Sequence, residues 1–321
     1  MGQPVCPVCA SNEALHHADA SDEEYFTSPD VFHYLRCSEC GVVFIDPMPT
    51  DRLTEIYPPN YYSFDSTVVH SPTFRIKDRL DQRFFAKLLR SIPGSELAAL
   101  DVGGGVGWTL DTLRRADARV TSTTVVDLDP EAGKEATNRG HAYYCTRFED
   151  FQPDRRFDFI VLFNIIEHVA DPRAVLEQVG ELLAPGGLAV IKTPNMDSLD
   201  ARIFRTRNWG GFHCPRHWVL FDAPTFRALV DQCGLRVRDA RYTQGAPFWT
   251  TSVMYALRRR GWIEASRDRP IPRHPLYQFL NASFAAFDMV RGVLFRTSQM
   301  FFVLEAARSL TQPEASEGQP G

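Results

Sequence analysis

A chain of 321 residues, 44% apolar and 23% charged, holds enough material for one large domain with additions or for two, and predicts a soluble globular protein. No N-terminal basic-then-apolar signal and no apolar run of about 20 residues is present, which argues against a membrane-spanning helix and predicts a cytoplasmic location. The net charge of -5 hides a split: residues 1–70 carry only Arg36 and Arg52 as bases against eleven acids, whereas 247–297 carry eight arginines against Glu264, Asp268 and Asp288. The first segment would repel a nucleic-acid backbone, so nucleic acid is not an expected partner.

Four of the seven cysteines fall in two tight pairs, Cys6 and Cys9 in "CPVC", Cys37 and Cys40 in "CSECG". A short knuckle points two thiolates at one ion, and a glycine after the second knuckle eases the turn. The sharp reading is a four-cysteine zinc ribbon over 1–49, structural in role because four thiolates leave no open position. Two disulfides, or four unrelated thiols, are the alternatives. A small acidic segment poor in large apolar residues would need such a staple to fold.

After a short strand in "GVVFIDPMPT", an aromatic and proline-rich stretch reads as a linker over 50–72. "TFRIKDRLDQRFFAKLLRSI" keeps helical period and stops at Pro93-Gly94. From there strands and helices alternate: "ELAALDV", "RVTSTTVVDLD", "HAYYCT", "FDFIVLFN" and "LAVIKTPN" read as strands, separated by the helical "GWTLDTLRRA", "PEAGKEATNRG" and "PRAVLEQVGELLAPGG", the last with a glycine stop. Near-continuous apolar strands in such units imply a parallel sheet covered on both faces, a doubly wound α/β fold whose ligands bind beyond the carboxyl ends of the strands. "DAPTFRALVDQCG" is a helix capped by Asp222, followed by strands in "LRVRDARYT" and "MFFVLEAA". Between those strands lies an insertion, 247–297, whose second half sets Leu276, Phe279, Leu280, Phe284, Phe287, Val290 and Leu294 on one amphipathic helical stripe. The tail, 311–321, has a composition that predicts disorder.

The stretch "ALDVGGGVGW" discriminates among nucleotide sites. A dinucleotide fingerprint counted from Gly103 would need glycine where Trp108 stands, and a phosphate loop would need G-K-[ST], which is absent. What remains is D-x-G-x-G-x-G, Asp101 to Gly107, glycines that allow a sharp turn and close approach of a ligand to a helix N-terminus.

This motif, with "VVDLD" ending the second strand, "FDFIVLFNIIEHVADP" and "LLAPGGLAVIKTPN", resembles the class I S-adenosylmethionine-dependent methyltransferases over roughly Leu97 to Tyr242. The resemblance implies a mostly parallel, seven-stranded Rossmann-like sheet within 73–310. It implies that Gly103, Gly105 and Gly107 cradle S-adenosylmethionine and that Asp101 faces its methionine amino group. Asp127, with Leu128 beside it and Asp129 next in line, would accept the ribose hydroxyls; Phe148 and Glu149 would flank adenine, and Asn164 the sulfonium end. A carboxylate suits two adjacent hydroxyls because it only accepts. Core packing is the plain alternative for Phe148, and a helix cap for Asp127.

With the ribbon in front, the chain looks like zinc-binding methyltransferases of sugars and secondary metabolites, so the expected partner is a small-molecule methyl acceptor such as a sugar, nucleotide sugar or glycan precursor. "NWGGFHCPRHWVLFD" then reads as the loop on the acceptor side. Alignment and desolvation carry most of a methyl transfer, and a general base helps where the acceptor is a hydroxyl or an acidic carbon. His168 and His217 are the candidates, each with an orienting role as its alternative; His213 lies near them. Asn164 stands where a catechol-type site would place its first metal-binding acid, so magnesium is not expected. The insertion is read as a roof over the acceptor pocket or a dimer contact; as an interfacial helix in peripheral contact with a membrane; or as a source of arginines for substrate phosphate. A zinc-ribbon RNA methyltransferase and a non-catalytic binding protein or scaffold are the competing functions.

Overall fold

The computed structural model describes residues 3–58, 72–206 and 209–307; most of the expected linker and the whole tail, 311–321, lie outside the described residues. The chain begins with an antiparallel meander, β1 (Ala14–Ala20), β2 (Phe32–Cys37) and β3 (Val43–Asp46), then a short α1 (Leu53–Ile56) and α2 (Pro72–Leu89). The alternating region follows as β4 (Leu97–Val102), α3 (Trp108–Ala116), β5 (Val120–Asp127), α4 (Pro130–Asn138), β6 (Ala142–Cys145), β7 (Phe157–Phe163), α5 (Pro172–Leu182) and β8 (Leu183–Pro194). After α6 (Leu199–Phe204) come β9 (Val219–Leu220), α7 (Ala223–Gln232), β10 (Leu235–Thr243), α8 (Ala246–Arg259), α9 (Pro275–Arg291) and β11 (Gln299–Ala306).

The seven-stranded sheet runs β10-β11-β8-β7-β4-β5-β6, with β4 to β8 parallel and β11 antiparallel to both neighbours. Its central strands are apolar throughout because both faces are covered: every residue of β4 is buried. Helix starts follow local chemistry. Asp129 and Asp171 cap α4 and α5 ahead of Pro130 and Pro172, and Asp222 forms a capping box with Thr225 at α7.

The structure departs from the sequence reading in three places. The pair Gly186-Gly187 does not end α5, which stops at Leu182; the glycines lie inside β8. Gly186 takes φ +80°, and a Cβ on Gly187 would come within 2.9 Å of the Asp158 carbonyl on β7, so the neighbouring strand demands the glycine. The amphipathic stripe of α9 is buried only in part. Leu276 and Leu280 pack toward Met254, Tyr255 and Ile271, and Phe284 stacks on Trp249, but Phe279, Phe287, Val290 and Leu294 are exposed, and Leu294 lies past the helix end. The buried residue of α9 is Asp288, which accepts from Gly245 N and Ser298 Oγ.

Thirdly, the ribbon does not stand apart from the large domain. β9, from the loop after α6, pairs antiparallel with β3, so the second sheet reads β1-β2-β3-β9 and one apolar core runs from Cys6 and Val8 through Tyr34 to Trp218 and Phe302. Among the described residues no helix is long and apolar enough to cross a membrane.

Candidate active site

The glycine turn follows β4 and leads into α3. Gly103, Gly105 and Gly107 all have φ between +52° and +84°, the region where a side chain is strained. Their surroundings differ. A Cβ on Gly103 would strike Ile165 Cδ1 at 2.1 Å and one on Gly107 would strike His141 Cδ2 at 2.4 Å, whereas one on Gly105 would meet nothing within 4 Å. Gly103 and Gly107 are therefore required by packing, and Gly105 by backbone conformation, with its free side turned to open space. Trp108, at the start of α3, lies with the Arg139 guanidinium 3.5 Å over its ring, a bulky packing incompatible with the close approach of a dinucleotide fold.

Asp127 ends β5 beside this turn. Its Oδ2 accepts from Gly105 N at 2.8 Å and its Oδ1 from Leu128 N and Asp129 N, so three of roughly four acceptor positions are used and one remains for a ligand hydroxyl. Asp129 is committed to capping α4, and Leu128 stands exposed next to Asp127. Asp101, at the end of β4, is buried with Oδ2 unpaired. Burial, reinforced by the Asp127 charge and opposed by a hydrogen bond with Thr109, pushes its carboxyl up to about 8.

Phe148 occupies a turn after β6 and belongs to the core, while the adjacent Glu149 pairs with Arg147 at 3.7 Å. Asn164 directly follows β7 with φ +54°; its N–H donates to Lys192 O and its Oδ1 accepts from Gln299 Nε2. All of these residues lie at the carboxyl ends of strands or in the turns that follow, where a doubly wound sheet binds its ligands, but the Phe148 ring is taken up by the core.

A second cluster forms where the turn after β7 meets the loop 209–221. His168 Nδ1 lies 2.9 Å from both Arg216 O and the Tyr57 hydroxyl, and His217 Nδ1 lies 2.7 Å from Gly211 O. A carbonyl only accepts, so each Nδ1 carries the proton and each Nε2 presents a lone pair. Glu167, fully buried, accepts from Thr193 Oγ1 through Oε2; its Oε1 has no hydrogen-bond partner and lies 3.9 Å from His217 Nε2. Burial pushes Glu167 up to about 8 and His168 down to about 3, and drives His217 well below the ordinary histidine range. The cluster is thus a pair of neutral imidazoles beside a carboxyl that ionises near neutral pH. Nothing in the sequence distinguishes Glu167, which is one letter of "IIEHV"; the signal that finds it is burial without a partner.

The N-terminal acids hold this loop. Arg216, with no exposed surface, donates to Asp22 Oδ2 at 2.9 Å and to Cys214 O, and His213 Nδ1 lies 2.6 Å from Glu24 Oε2. Tyr34 donates to the carbonyls of Phe212 and His217. Glu23 takes Arg258 and Arg259 of α8, so those arginines are engaged within the fold rather than turned to substrate phosphate. Acids read as a repelling surface are, at 22–24, buried partners.

At the far end of the meander, Cys6 Sγ lies 3.6 Å from Cys40 Sγ and Cys9 Sγ 3.5 Å from Cys37 Sγ, the four sulfurs mutually within 4.8 Å. All four are free thiols. Such separations match edges of a tetrahedron built on metal–sulfur bonds of about 2.3 Å, and are far longer than a disulfide of about 2.05 Å.

A glycine-rich turn at the carboxyl end of β4 in a seven-stranded sheet of this order is the arrangement of the class I S-adenosylmethionine-dependent methyltransferases, and similarity to known proteins places the chain in that class. The family model described as methyltransferase domain matches residues 74–240, over half of the chain, and the chain belongs to that family. Ubiquinone biosynthesis O-methyltransferase of Bradyrhizobium sp. (strain ORS 278) is 34% identical over 135 residues, 40% of this chain and 46% of that protein. The protein of the same name from Rhodopseudomonas palustris (strain HaA2) is 33% identical over 135 residues, again 40% and 46%. The chain therefore spans about half the length of the curated relatives it matches. The crystal structure of coclaurine N-methyltransferase bound to N-methylheliamine and SAH superposes with a TM-score of 0.50 at 12% identity, covering 74% of each chain, a likeness of fold.

Proposed function

We propose that the protein methylates a hydroxyl oxygen of a small-molecule acceptor, with S-adenosylmethionine as donor. The open side of Gly105 carries this reading, supported by the unpaired Asp101 Oδ2 and the acceptor position left on Asp127. S-adenosylmethionine, when bound, supplies a methyl group already activated by a positive sulfur. Gly105 would give it backbone to lie on, Asp101 would take its amino group, Asp127 and Leu128 its ribose and adenine edge, and Asn164 the reacting end.

The choice of oxygen rests on the curated relatives, whose names are those of O-methyltransferases in ubiquinone biosynthesis. It moves the favoured acceptor from the sugar or glycan precursor suggested by the ribbon toward a hydroxylated precursor of that kind. The ribbon keeps the sugar as a second reading.

His168 Nε2 would take the hydroxyl proton, Arg216 O holding the ring through Nδ1. A charged His168 is costly where it is buried unless Glu167 is ionised, so turnover should rise with pH through about 8 as Glu167 loses its proton. His217, held through Nδ1 by Gly211 O and with Nε2 3.9 Å from Glu167 Oε1, beyond hydrogen-bond distance, would keep an orienting role in the cluster. The four cysteines would hold a structural zinc that fixes the meander and, through Tyr34, the loop bearing His217.

The test is transfer of labelled methyl to a panel of hydroxylated aromatics and sugar nucleotides, with a pH profile. Methylated aromatic hydroxyl as product, rising through about pH 8 in the parent and flattened and lowered in Glu167→Gln, is expected. Transfer to nitrogen only, or profiles of equal shape, overturns the assignment.

A further inference from the structure

The first hairpin carries a side-chain cluster that the methyl-transfer site does not use. In β1 and β2, Ala18, Ala20, Phe32 and Tyr34 are buried in the core, so alternation places His33 on the outer face, and its Cα partner across the ladder is Asp19. His16 lies three residues before Asp19, a spacing that in a regular strand puts two side chains on opposite faces. The ladder slips at this point: His16 pairs with Leu35 and Ala18 with Tyr34, which leaves His17 as an extra residue. Such a bulge re-aims the strand, and here it brings His16 onto the face of Asp19 and His33.

The three side chains converge on one point. His16 Nε2 lies 2.8 Å and His33 Nδ1 2.7 Å from the same oxygen, Asp19 Oδ1, and the three atoms are mutually within 4.8 Å. Two imidazole nitrogens and a carboxylate oxygen are a donor set for a divalent transition ion, whose bonds of about 2.0–2.2 Å put neighbouring ligand atoms roughly 3.3 Å apart. Side-chain rotations that widen each contact by about half an ångström reach that spacing. The side chains are open to water, 60% for His16, 57% for His33 and 36% for Asp19. Each ring can therefore carry its proton on the other nitrogen, and water can complete the coordination. As exposed ion pairs alone these contacts add little to stability, so the fold itself does not require the convergence.

We propose that His16, Asp19 and His33 form a second metal site, separate from the four cysteines and suited by its nitrogen and oxygen donors to a divalent transition ion such as Zn2+. With water in the remaining position the ion is exchangeable, unlike one enclosed by four thiolates. It ties β1 to β2, the strand whose Tyr34 holds the carbonyls of Phe212 and His217.

Zinc titration of the full chain by calorimetry, beside Asp19→Asn and His33→Ala, tests this. Asp19→Asn keeps an acceptor for both rings but removes the anionic ligand. The parent should bind one ion more per chain than either variant, or bind that ion at least about a hundredfold more tightly. Because the readout is a difference, it holds whether the cysteines are filled beforehand or during the titration. Added zinc should also raise the melting temperature of the parent by more than that of either variant, and magnesium, which favours all-oxygen sites, should not. The substituted side chains are open to water, so both variants should keep the parental circular dichroism spectrum. Equal ion counts and affinities in the three proteins would overturn the proposal and leave the cluster as cross-strand hydrogen bonds only. An equal response of the parent to magnesium would overturn the assignment to a transition ion.

Discussion

Replacing Asp101 with asparagine tests the charge state of the cradle. In the folded protein the Asp101 carboxyl is pushed from 3.8 to about 8 by burial first and the Asp127 charge second. A folded-state pKa above the unfolded one means that the native state holds a proton the unfolded state has released. The stabilisation is complete below about pH 4 and is lost as pH rises through about 8, at about 1.4 kcal/mol per pH unit. The span of about four units corresponds to about 5 kcal/mol, of which about 2–5 kcal/mol is expected once the surroundings relax around the charge. The amide of Asp101→Asn cannot ionise, so the variant should equal the parent near pH 4 and exceed it in stability by that amount near pH 8. Glu167, also raised to about 8, imposes the same slope on both proteins, and the difference between them isolates Asp101. Urea unfolding followed by circular dichroism, without cofactor, from about pH 4 to about pH 8, measures it. Calorimetry supplies a second arm. If the carboxylate receives the cofactor's amino group, parental affinity for S-adenosylmethionine should climb up to about tenfold per unit toward pH 8 and stay flat and lower in the variant. Parallel stability curves for the two proteins would refute the reasoning.

Three further outcomes follow from the geometry. Gly105→Ala should fold with a loss of about 1–2 kcal/mol from its positive φ yet bind S-adenosylmethionine at least about tenfold more weakly, whereas Gly103→Ala, driven into Ile165, should show its main effect as a lowered melting temperature. Arg216→Ala strands Asp22 without its buried cation and should cost about 3–5 kcal/mol in denaturant titration; a loss under about 1 kcal/mol would mean that the remaining Thr27 and backbone bonds to Asp22 suffice. Cys37→Ser should abolish the one zinc per chain expected by elemental analysis and lower stability, and parent protein purified without chelator yet free of zinc would remove the metal from the account.

Much of the architecture was legible because local rules and the global fold agree. The apolar runs of β4, β7 and β8, the cap at Asp222, and the alternate glycines after Asp101 state their roles within a few residues of chain, whereas Asp129, read beside Asp127 as a ribose acceptor, proved to cap α4. The nearness of Asp127 to the glycine turn was legible only through family resemblance, since 22 residues separate it from Gly105.

What the sequence by itself determined was the doubly wound fold and the pairing of two cysteine knuckles, because short-range periodicity and ligand spacing suffice for each; the glycine turn was tied to a particular cofactor only through family resemblance. The tertiary structure alone decided which charges meet: Asp22 with Arg216 and Glu24 with His213, across 194 and 189 residues, tie the ribbon to the loop over the site. It alone decided that Glu167 is buried without a partner on one oxygen, and that the stripe on α9 divides between packed and exposed residues while its acid faces in. Burial and long-range pairing depend on what the rest of the chain places opposite a residue, and no window of neighbouring residues contains that.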